Sequence, residues 1–221
     1  MIRALIFDFD GLILDTEGPD YRAWQEAFQS YGGDLPLSVW SQCIGRSADW
    51  FDPLEYLESH LGRPIDRTEL LRRQKQRHRE LVEAESVLPG VDDYLREAGH
   101  LGIRIGLASS SSREWVLGHL GRLGLDGKCE CIRCWDDVER AKPAPDLYLA
   151  VLESLQVVPH EAIALEDSPN GVAAAKAAGL WCVAVPNDLT AELDLGLADL
   201  QLSSLAEMPL QQLLANFNGQ P

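Results

Sequence analysis

Positive charge is scarce in this sequence, which has 19 Lys and Arg against 35 Asp and Glu and a formal net charge of −16 at pH 7. Proteins bind nucleic acids and anionic membrane surfaces largely through cationic side chains that neutralise phosphates. No basic patch is visible along the chain. We therefore expect neither a nucleic acid nor a membrane as a partner.

Long apolar runs are also missing, since no stretch approaches the roughly 20 residues of a membrane-spanning helix. The first residues, Met1 to Ile6, lead into a predicted strand without the regions of a signal peptide. We therefore expect a cytoplasmic protein. Its 221 residues, 46% of them hydrophobic, suffice for one substantial core and a smaller second one. The sequence does not fix the oligomeric state, for which we expect a monomer.

Cysteine is rare as well, and the odd number of five fits poorly with a disulfide framework. Cys129, Cys131 and Cys134 lie close together and could hold a structural zinc ion. Their spacing is not that of a paired C-x-x-C site, however, and no histidine lies nearby as a fourth ligand. We favour the alternative interpretation, a strand that uses cysteines as small apolar side chains.

From Val87 onward, predicted helices and strands alternate along the chain. The predicted strands lie at 103–108, near 132, at 162–165, at 180–185 and around 200–202, and helices include 147–155 and 172–178. Such alternation is typical of a parallel sheet whose two faces are covered by helices through right-handed crossovers.

Between the first predicted strand and this region, aromatic residues recur at helical spacing, and Gly-Gly and Gly-x-Pro breakers divide the segment into several helices. We therefore predict an α/β fold: a Rossmann-like parallel sheet with helices on both faces, formed by residues 1–15 and 83–221, and an inserted all-helical cap at residues 16–82. Such a cap would lie over the strand ends where ligands bind, and would expel water during chemistry.

Four polar clusters occur where predicted strands end or helices begin. They are Asp8-Phe9-Asp10-Gly11, Ser109, Lys142-Pro143 and Glu166-Asp167-Ser168-Pro169-Asn170-Gly171. Each alone has another explanation, since Ser109 could cap a helix, Lys142 could be a surface lysine, and the acidic pair could form a turn before a helix. Together they predict a phosphoryl-transfer site.

With Asp15-Thr16-Glu17, these clusters resemble the ordered motifs of the haloacid dehalogenase superfamily, in particular its branch of β-phosphoglucomutases and small sugar-phosphate phosphatases. The resemblance covers nearly the whole chain. It implies that Asp8 is a nucleophile that forms an acyl phosphate. It also implies that Asp10 acts first as general acid and then as general base. Gly11 would let the backbone turn sharply, so that both carboxylates reach one reacting centre.

The resemblance further implies a Mg²⁺ cofactor held by Asp8, by the main-chain carbonyl of Asp10 and by Asp167, because Mg²⁺ prefers oxygen ligands and keeps several waters. Glu166 is expected either to bind the ion through a water molecule or to contact the ligands without touching the ion. Direct coordination by Glu166 is less favoured. The ion and Lys142 would offset the negative field that an anionic substrate meets, and Ser109 would donate to the transferring oxygens.

The predicted cap departs from the mutase pattern at two positions. The mutase histidine five residues after the aspartate of the Asp-Thr pair is replaced by Asp20, and the lysine before the cap-loop glycine is replaced by Ile44. Both changes put mutase activity in doubt.

Four residues are candidate substrate contacts: Arg46, Lys75, Glu17 and Asn170. Arg46 could grip a distal phosphate or carboxylate through its guanidinium. For Lys75, which lies in an arginine-rich run, a solvated helix charge is the favoured alternative, and Glu17 needs no special role at the first turn of a helix.

We therefore predict a Mg²⁺-dependent phosphatase for small phosphorylated metabolites, sugar or nucleoside monophosphates, that works through a phosphoaspartate intermediate. The alternative enzyme is a β-phosphoglucomutase-like isomerase. A dehalogenase proper would need neither Asp10 nor Asp167. A receiver-type signalling module does not fit the inserted lobe or the motif order, and a regulatory protein with a dormant site stays open.

Overall fold

The computed structural model describes residues 1–40, 51–191 and 193–218. Within those ranges the chain forms six strands and nine α-helices. The strands are β1 (Ala4–Phe7), β2 (Arg104–Ala108), β3 (Cys131–Arg133), β4 (Ala162–Glu166), β5 (Trp181–Ala184) and β6 (Leu200–Gln201). The helices are α1 (Glu17–Ser30), α2 (Leu37–Trp40), α3 (Pro53–Leu61), α4 (Arg67–Ala84), α5 (Val91–Leu101), α6 (Arg113–Arg122), α7 (Asp146–Leu155), α8 (Pro169–Ala177) and α9 (Leu210–Phe217).

The six strands form one parallel sheet in the order β3-β2-β1-β4-β5-β6. The strand order reverses between β1 and β4, which pair from Ala4 opposite Ala162 to Phe7 opposite Leu165. In open α/β sheets ligands bind beyond the carboxyl ends of the strands at such a switch point. The carboxyl ends of β1, β2 and β4 therefore lie side by side where the sequence places its acidic and polar clusters. The predicted fold class is confirmed.

Both faces of the sheet are covered by helices because the side chains of each strand alternate between two apolar clusters. In β1, Leu5 and Phe7 pack in the cluster that α5, α6 and α9 complete, whereas Ala4 and Ile6 pack in the cluster of α7 and α8. Burial of a large apolar side chain contributes about 1.5–3 kcal/mol. The two clusters hold β1 rigidly at the centre, and with it the residues that follow.

The segment between β1 and α5 forms a helical lobe, by which we mean helices α1 to α4. Its buried apolar side chains form a third cluster, consisting of Trp24, Phe28, Leu35, Trp40, Leu54, Leu57 and Leu70. Leu189 and Leu193 of the sheet domain pack against this cluster. The chain enters and leaves the lobe at adjacent points, because Leu14 and Val87 form an antiparallel bridge. The exact boundaries 1–15, 16–82 and 83–221 stay a prediction.

The cysteine-rich segment contains a strand, as the favoured interpretation predicted. Cys131 is the first residue of β3, and Cys129, Cys131 and Cys134 are free thiols that are buried or half-buried. Burial raises the pKa of Cys129 to about 12 and that of Cys134 to about 11. Among the described helices none is both long and apolar enough to cross a membrane.

Candidate active site

The site begins at the end of β1, where Asp8 follows directly on the last strand residue. Its backbone N–H donates to Leu165 O at 3.0 Å, which continues the pairing with β4 beyond the strand. The side chain is buried, and its Oδ1 forms an ion pair with Lys142 Nζ. The same ammonium lies 2.6 Å from Glu166 Oε1 at the end of β4. One buried lysine thus bridges the ends of the two central strands.

A tyrosine completes this buried group. The hydroxyl of Tyr148, on α7, donates to Glu166 Oε1, and Lys142 Nζ lies 5.3 Å from the centre of the tyrosine ring. Burial and the Glu166 charge raise the pKa of Tyr148 well above its ordinary value, so the hydroxyl stays a donor. Tyr148 and Glu166 therefore fix the position of Lys142 against Asp8.

Carboxylates outnumber cations at this point of the site. One ligand atom each of Asp8, Glu166 and Asp167 lies within 4.8 Å of the others. Burial, together with the charges of Glu166 and Asp10, raises the pKa of Asp8 to about 8 even though Lys142 opposes the shift. Burial and the Asp8 charge likewise raise the pKa of Asp167 well above its ordinary value. Burial alone would lower the pKa of Lys142, but Asp8 and Glu166 outweigh it and raise the pKa.

This donor set fits a hard divalent cation. Buried carboxylate oxygens are the ligands that Mg²⁺ prefers in proteins, and a divalent charge would offset the mutual repulsion of the carboxylates. Of the three groups, Glu166 already binds Lys142 and Tyr148 through Oε1. Asp8 and Asp167 are thus better placed to ligate an ion.

Asp167 is held by an asparagine of the loop after β5. Asn187 Nδ2 donates to Asp167 Oδ2 at 2.9 Å. The amide can point only this way, because its Oδ1 accepts from the backbone N–H groups of Leu189 and Thr190. Gly11 packs against the same carboxylate, since a Cβ there would lie 2.1 Å from Asp167 Oδ2, and its φ is 82°. Gly11 therefore serves both the turn that the sequence predicted and this close approach.

Glu166 lies equally close to a glycine of α8. A Cβ at Gly171 would lie 1.7 Å from Glu166 Oε2. This oxygen is buried and has no hydrogen-bond partner among the described residues. Ser168 caps α8 by accepting from the Gly171 N–H at 3.2 Å, and the positive end of the helix favours a carboxylate here.

The second aspartate of the first motif is oriented by three donors from the segment after β2. Asp10 Oδ2 accepts from Ser111 Oγ at 2.7 Å and from Ser109 Oγ at 3.3 Å. Asp10 Oδ1 accepts from the indole Nε1 of Trp115 at 2.9 Å. Ser109 is fully buried and also accepts from the Ser111 N–H at 2.9 Å. Its hydroxyl is thus directed at Asp10, which the sequence did not predict.

The carboxylates open onto a cavity of about 510 Å³ between the sheet and the helical lobe. Its lining consists of Asp8, Asp10, Thr16, Glu17, Asp20, His78, Ser110, Ser111, Trp115, Lys142, Asp167, Ser168 and Asn170. Burial, with the charges of Asp20 and Asp10, raises the pKa of Glu17 to about 7. Asp20 accepts from Gln74 Nε2 at 2.6 Å. A second cavity of about 650 Å³ adjoins Gly11 and Asn187, but Asp8, Asp10 and Asp167 do not line it.

The fold brings most of the predicted site residues to this one place. Asp8, Asp10, Lys142, Glu166 and Asp167 meet at the strand ends, as described above, and Glu17 and Asn170 line the cavity. Lys75 does not line it; this side chain is exposed on α4, where Gln74 is buried instead. The solvated-charge alternative for Lys75 accordingly fits its placement. Arg46 and Ile44 lie outside the described residues.

Four residues of this site are not among those predicted from the sequence, namely Trp115, His78, Tyr148 and Asn187. Asn187 stands three residues after β5, so the rule that polar residues at strand ends form sites would have found it. The others carried no local signal, because an aromatic residue on a helix predicts core packing in the first place.

Comparison with known proteins supports a single family. The model of the haloacid dehalogenase-like hydrolases matches residues 5–185. The protein YhcW of Bacillus subtilis (strain 168) is 50% identical over 220 residues, covering 100% of both chains. "Phosphorylated carbohydrates phosphatase" of Thermotoga maritima is 32% identical and covers 81% of this chain and 82% of its own.

A solved structure agrees with these relatives. The crystal structure of a HAD family hydrolase from Deinococcus radiodurans R1, with bound phosphate and sodium, superposes with a TM-score of 0.81. It is 28% identical and covers 98% of this chain and 96% of its own.

Proposed function

The chain belongs to the haloacid dehalogenase-like hydrolases, as its motifs predicted, and is a phosphoric monoester hydrolase, and we propose that it is a Mg²⁺-dependent phosphatase that uses Asp8 as its nucleophile. The substrates are small phosphorylated metabolites, either sugar or nucleoside monophosphates. The single observation that carries the proposal is the convergence of Asp8, Asp167 and Lys142 at the ends of β1 and β4.

In the first step an oxygen of the Asp8 carboxylate attacks phosphorus, and the bond between phosphorus and the ester oxygen breaks. Asp10 gives its proton to the leaving oxygen, so that an alcohol departs and an acyl phosphate forms on Asp8. Lys142 offsets the charge on the transferring oxygens, because Glu166 and Tyr148 hold its ammonium in place.

In the second step Asp10, now ionised, takes a proton from water, and the oxygen of that water attacks the phosphorus. The acyl phosphate bond breaks, which releases inorganic phosphate and restores the Asp8 carboxylate. One aspartate thus serves as acid and then as base, and the net reaction is hydrolysis of the ester. The three hydrogen bonds that Asp10 accepts support this role, because they hold its carboxyl group in a defined orientation.

Asp8, Asp167 and the main-chain carbonyl of Asp10 would hold Mg²⁺, with Glu166 behind them. When bound, the ion would supply positive charge beside the reacting phosphoryl group. Asn187 and Gly11 support this assignment, because they fix the Asp167 carboxylate from two sides.

The lining of the cavity supports a small polyhydroxylated substrate. Glu17, Asp20 and His78 place hydrogen-bonding groups opposite the catalytic carboxylates, and a volume of about 510 Å³ suits a metabolite. The name of the Thermotoga maritima relative, a phosphatase of phosphorylated carbohydrates, points to the same class. Asp20 stands in the place of the mutase histidine and accepts a hydrogen bond from Gln74. The absence of that histidine favours hydrolysis over phosphoglucomutase activity.

Phosphate release from a panel of sugar and nucleoside monophosphates tests the proposal. We expect release that requires Mg²⁺ and is abolished by EDTA, and a loss of at least about 10³-fold in Asp8→Asn. Asp126→Asn, at an exposed position, is the matched control and should keep full activity.

Unchanged activity in Asp8→Asn would refute the assigned nucleophile. The same panel is repeated with a hexose bisphosphate as activator. Interconversion of glucose phosphates that depends on this activator, without phosphate release, would identify a mutase instead.

A further inference from the structure

Trp115 lies at the beginning of α6, and it is the only one of the three donors to Asp10 that cannot also accept a hydrogen bond. An indole N–H is a donor only, whereas the hydroxyls of Ser109 and Ser111 can donate or accept. Asp10 Oδ1 must therefore present a lone pair to Trp115 in either protonation state of the carboxyl group. The acid proton is therefore left to a lone pair other than the one that Trp115 occupies.

The backbone of Trp115 is fixed by the helix cap. Ser112 is the N-cap residue of α6, and its hydroxyl accepts from the backbone N–H of Trp115 at 3.3 Å. On one side the indole packs in a T-shaped contact with His119, one turn further along α6, with ring centres 4.3 Å apart and planes at 71°. The indole is thereby held from its own helix.

A second ring contact of the indole comes from the helical lobe. His78 of α4 stacks on Trp115, with ring centres 5.8 Å apart and an angle of 24° between the planes. His78 also lines the cavity, and its buried Nε2 has no hydrogen-bond partner among the described residues. The ring contact thus links the lobe to the residue that orients Asp10.

We propose that Trp115 is a positioning residue for Asp10, and that His78 holds Trp115 in place from the helical lobe. This inference rests on the proposed function, because it assigns a consequence to the acid and base roles of Asp10. The indole keeps the carboxyl group aimed at the ester oxygen, and the stacking of His78 limits movement of the indole.

The test is Trp115→Phe, which keeps an aromatic ring and removes the N–H donor. Trp181→Phe is the matched control, because it removes a comparable indole hydrogen bond, to His160 O at 3.2 Å. Trp181 is the first residue of β5, at the end of the strand away from the active site. Single-turnover release of the leaving group is measured with an alkyl phosphate and with p-nitrophenyl phosphate. The aryl leaving group needs little protonation, so its release depends weakly on a general acid.

We expect Trp115→Phe to slow release of the alkyl leaving group roughly 10- to 100-fold, a part of the 10² to 10⁴ that a positioned acid contributes. Release of p-nitrophenol should slow less than about threefold, and KM should stay the same. Trp181→Phe should change neither rate. His78→Ala should produce the same selective loss, to a smaller extent.

A double variant separates positioning from structural damage. In an Asp10→Asn background Trp115→Phe should cause no further loss, because the indole acts only through Asp10. Equal slowing of both substrates, or an additional loss in that background, would overturn the inference.

Failure of the proposed function would look different. In that case wild-type protein would release no phosphate, or Asp8→Asn would stay active. A different result would refute only the role of Trp115. In that case the wild-type enzyme is active and Asp10→Asn slows the alkyl phosphate more than p-nitrophenyl phosphate, but Trp115→Phe slows neither selectively.

Discussion

Gly171→Ala tests how tightly the buried carboxylate of Glu166 is confined. The added Cβ would lie 1.7 Å from Oε2 and 2.3 Å from Oε1, whereas ordinary contact begins at 3.4 Å, so the nearer oxygen must retreat by about 1.7 Å. Such a movement breaks the contacts with Lys142 and Tyr148. Overpacking costs about 1–3 kcal/mol, and loss of a buried ion pair about 3–5 kcal/mol.

Alanine itself favours the helix by about 1 kcal/mol over glycine. We therefore expect Gly171→Ala to lower the free energy of unfolding by at least about 3 kcal/mol, and the unfolding temperature by at least roughly 6 °C in a chain of this size. The rate should fall about 10²-fold, because Lys142 shifts relative to Asp8. Urea denaturation and steady-state phosphate release measure the two effects.

Gly118→Ala is the matched control, because Gly118 lies inside helix α6 and a Cβ there meets nothing within 4 Å. It should stabilise the protein by up to about 1 kcal/mol and leave the rate unchanged. In a Glu166→Ala background, where the clash is gone, Gly171→Ala should behave like this control. A Gly171→Ala protein as stable and active as wild type would show that the Glu166 carboxylate is not tightly confined.

Three other changes probe the groups around the carboxylates. Asn187→Leu should weaken Mg²⁺ binding about tenfold or more, and an undiminished rise of the unfolding temperature with Mg²⁺ would count against that. Gly11→Ala would place a Cβ 2.1 Å from Asp167 Oδ2, so kcat measured with Mg²⁺ should fall. Gly102→Ala is its control and should keep the wild-type kcat, because Gly102 also has a positive φ but a Cβ there meets nothing within 4 Å. Tyr148→Phe removes the hydrogen bond to Glu166 and should lower the free energy of unfolding by about 1–2 kcal/mol. It should also lower kcat. An unchanged midpoint of urea denaturation would contradict this prediction.

The sheet and most of the chemistry at its edge could be predicted because their signals are local. Apolar runs that end in polar residues mark β1, β2 and β4, and the carboxyl ends of parallel strands meet at one edge. The convergence of Asp8, Lys142 and Asp167 follows from that rule and the resemblance together. The alternating burial of β1 residues follows from the two-residue period of a strand.

The remaining parts of the site depend on contacts between residues distant in the chain. Trp115 contacts Asp10, which lies 105 positions earlier in the chain, and stacks on His78 of the helical lobe. Nothing in the local pattern around Trp115 distinguishes such a contact from core packing. The direction of the Ser109 hydroxyl was equally hidden, because it depends on where the Asp10 carboxyl group lies.

Mass spectrometry of the enzyme, after rapid acid quenching during turnover of a sugar phosphate with Mg²⁺, detects a phosphoaspartate intermediate directly. We expect one added phosphoryl group on the peptide that contains Asp8, labile at alkaline pH as an acyl phosphate is, and none in Asp8→Asn. A phosphoryl group on a different residue, or one that persists in Asp8→Asn, would contradict this expectation.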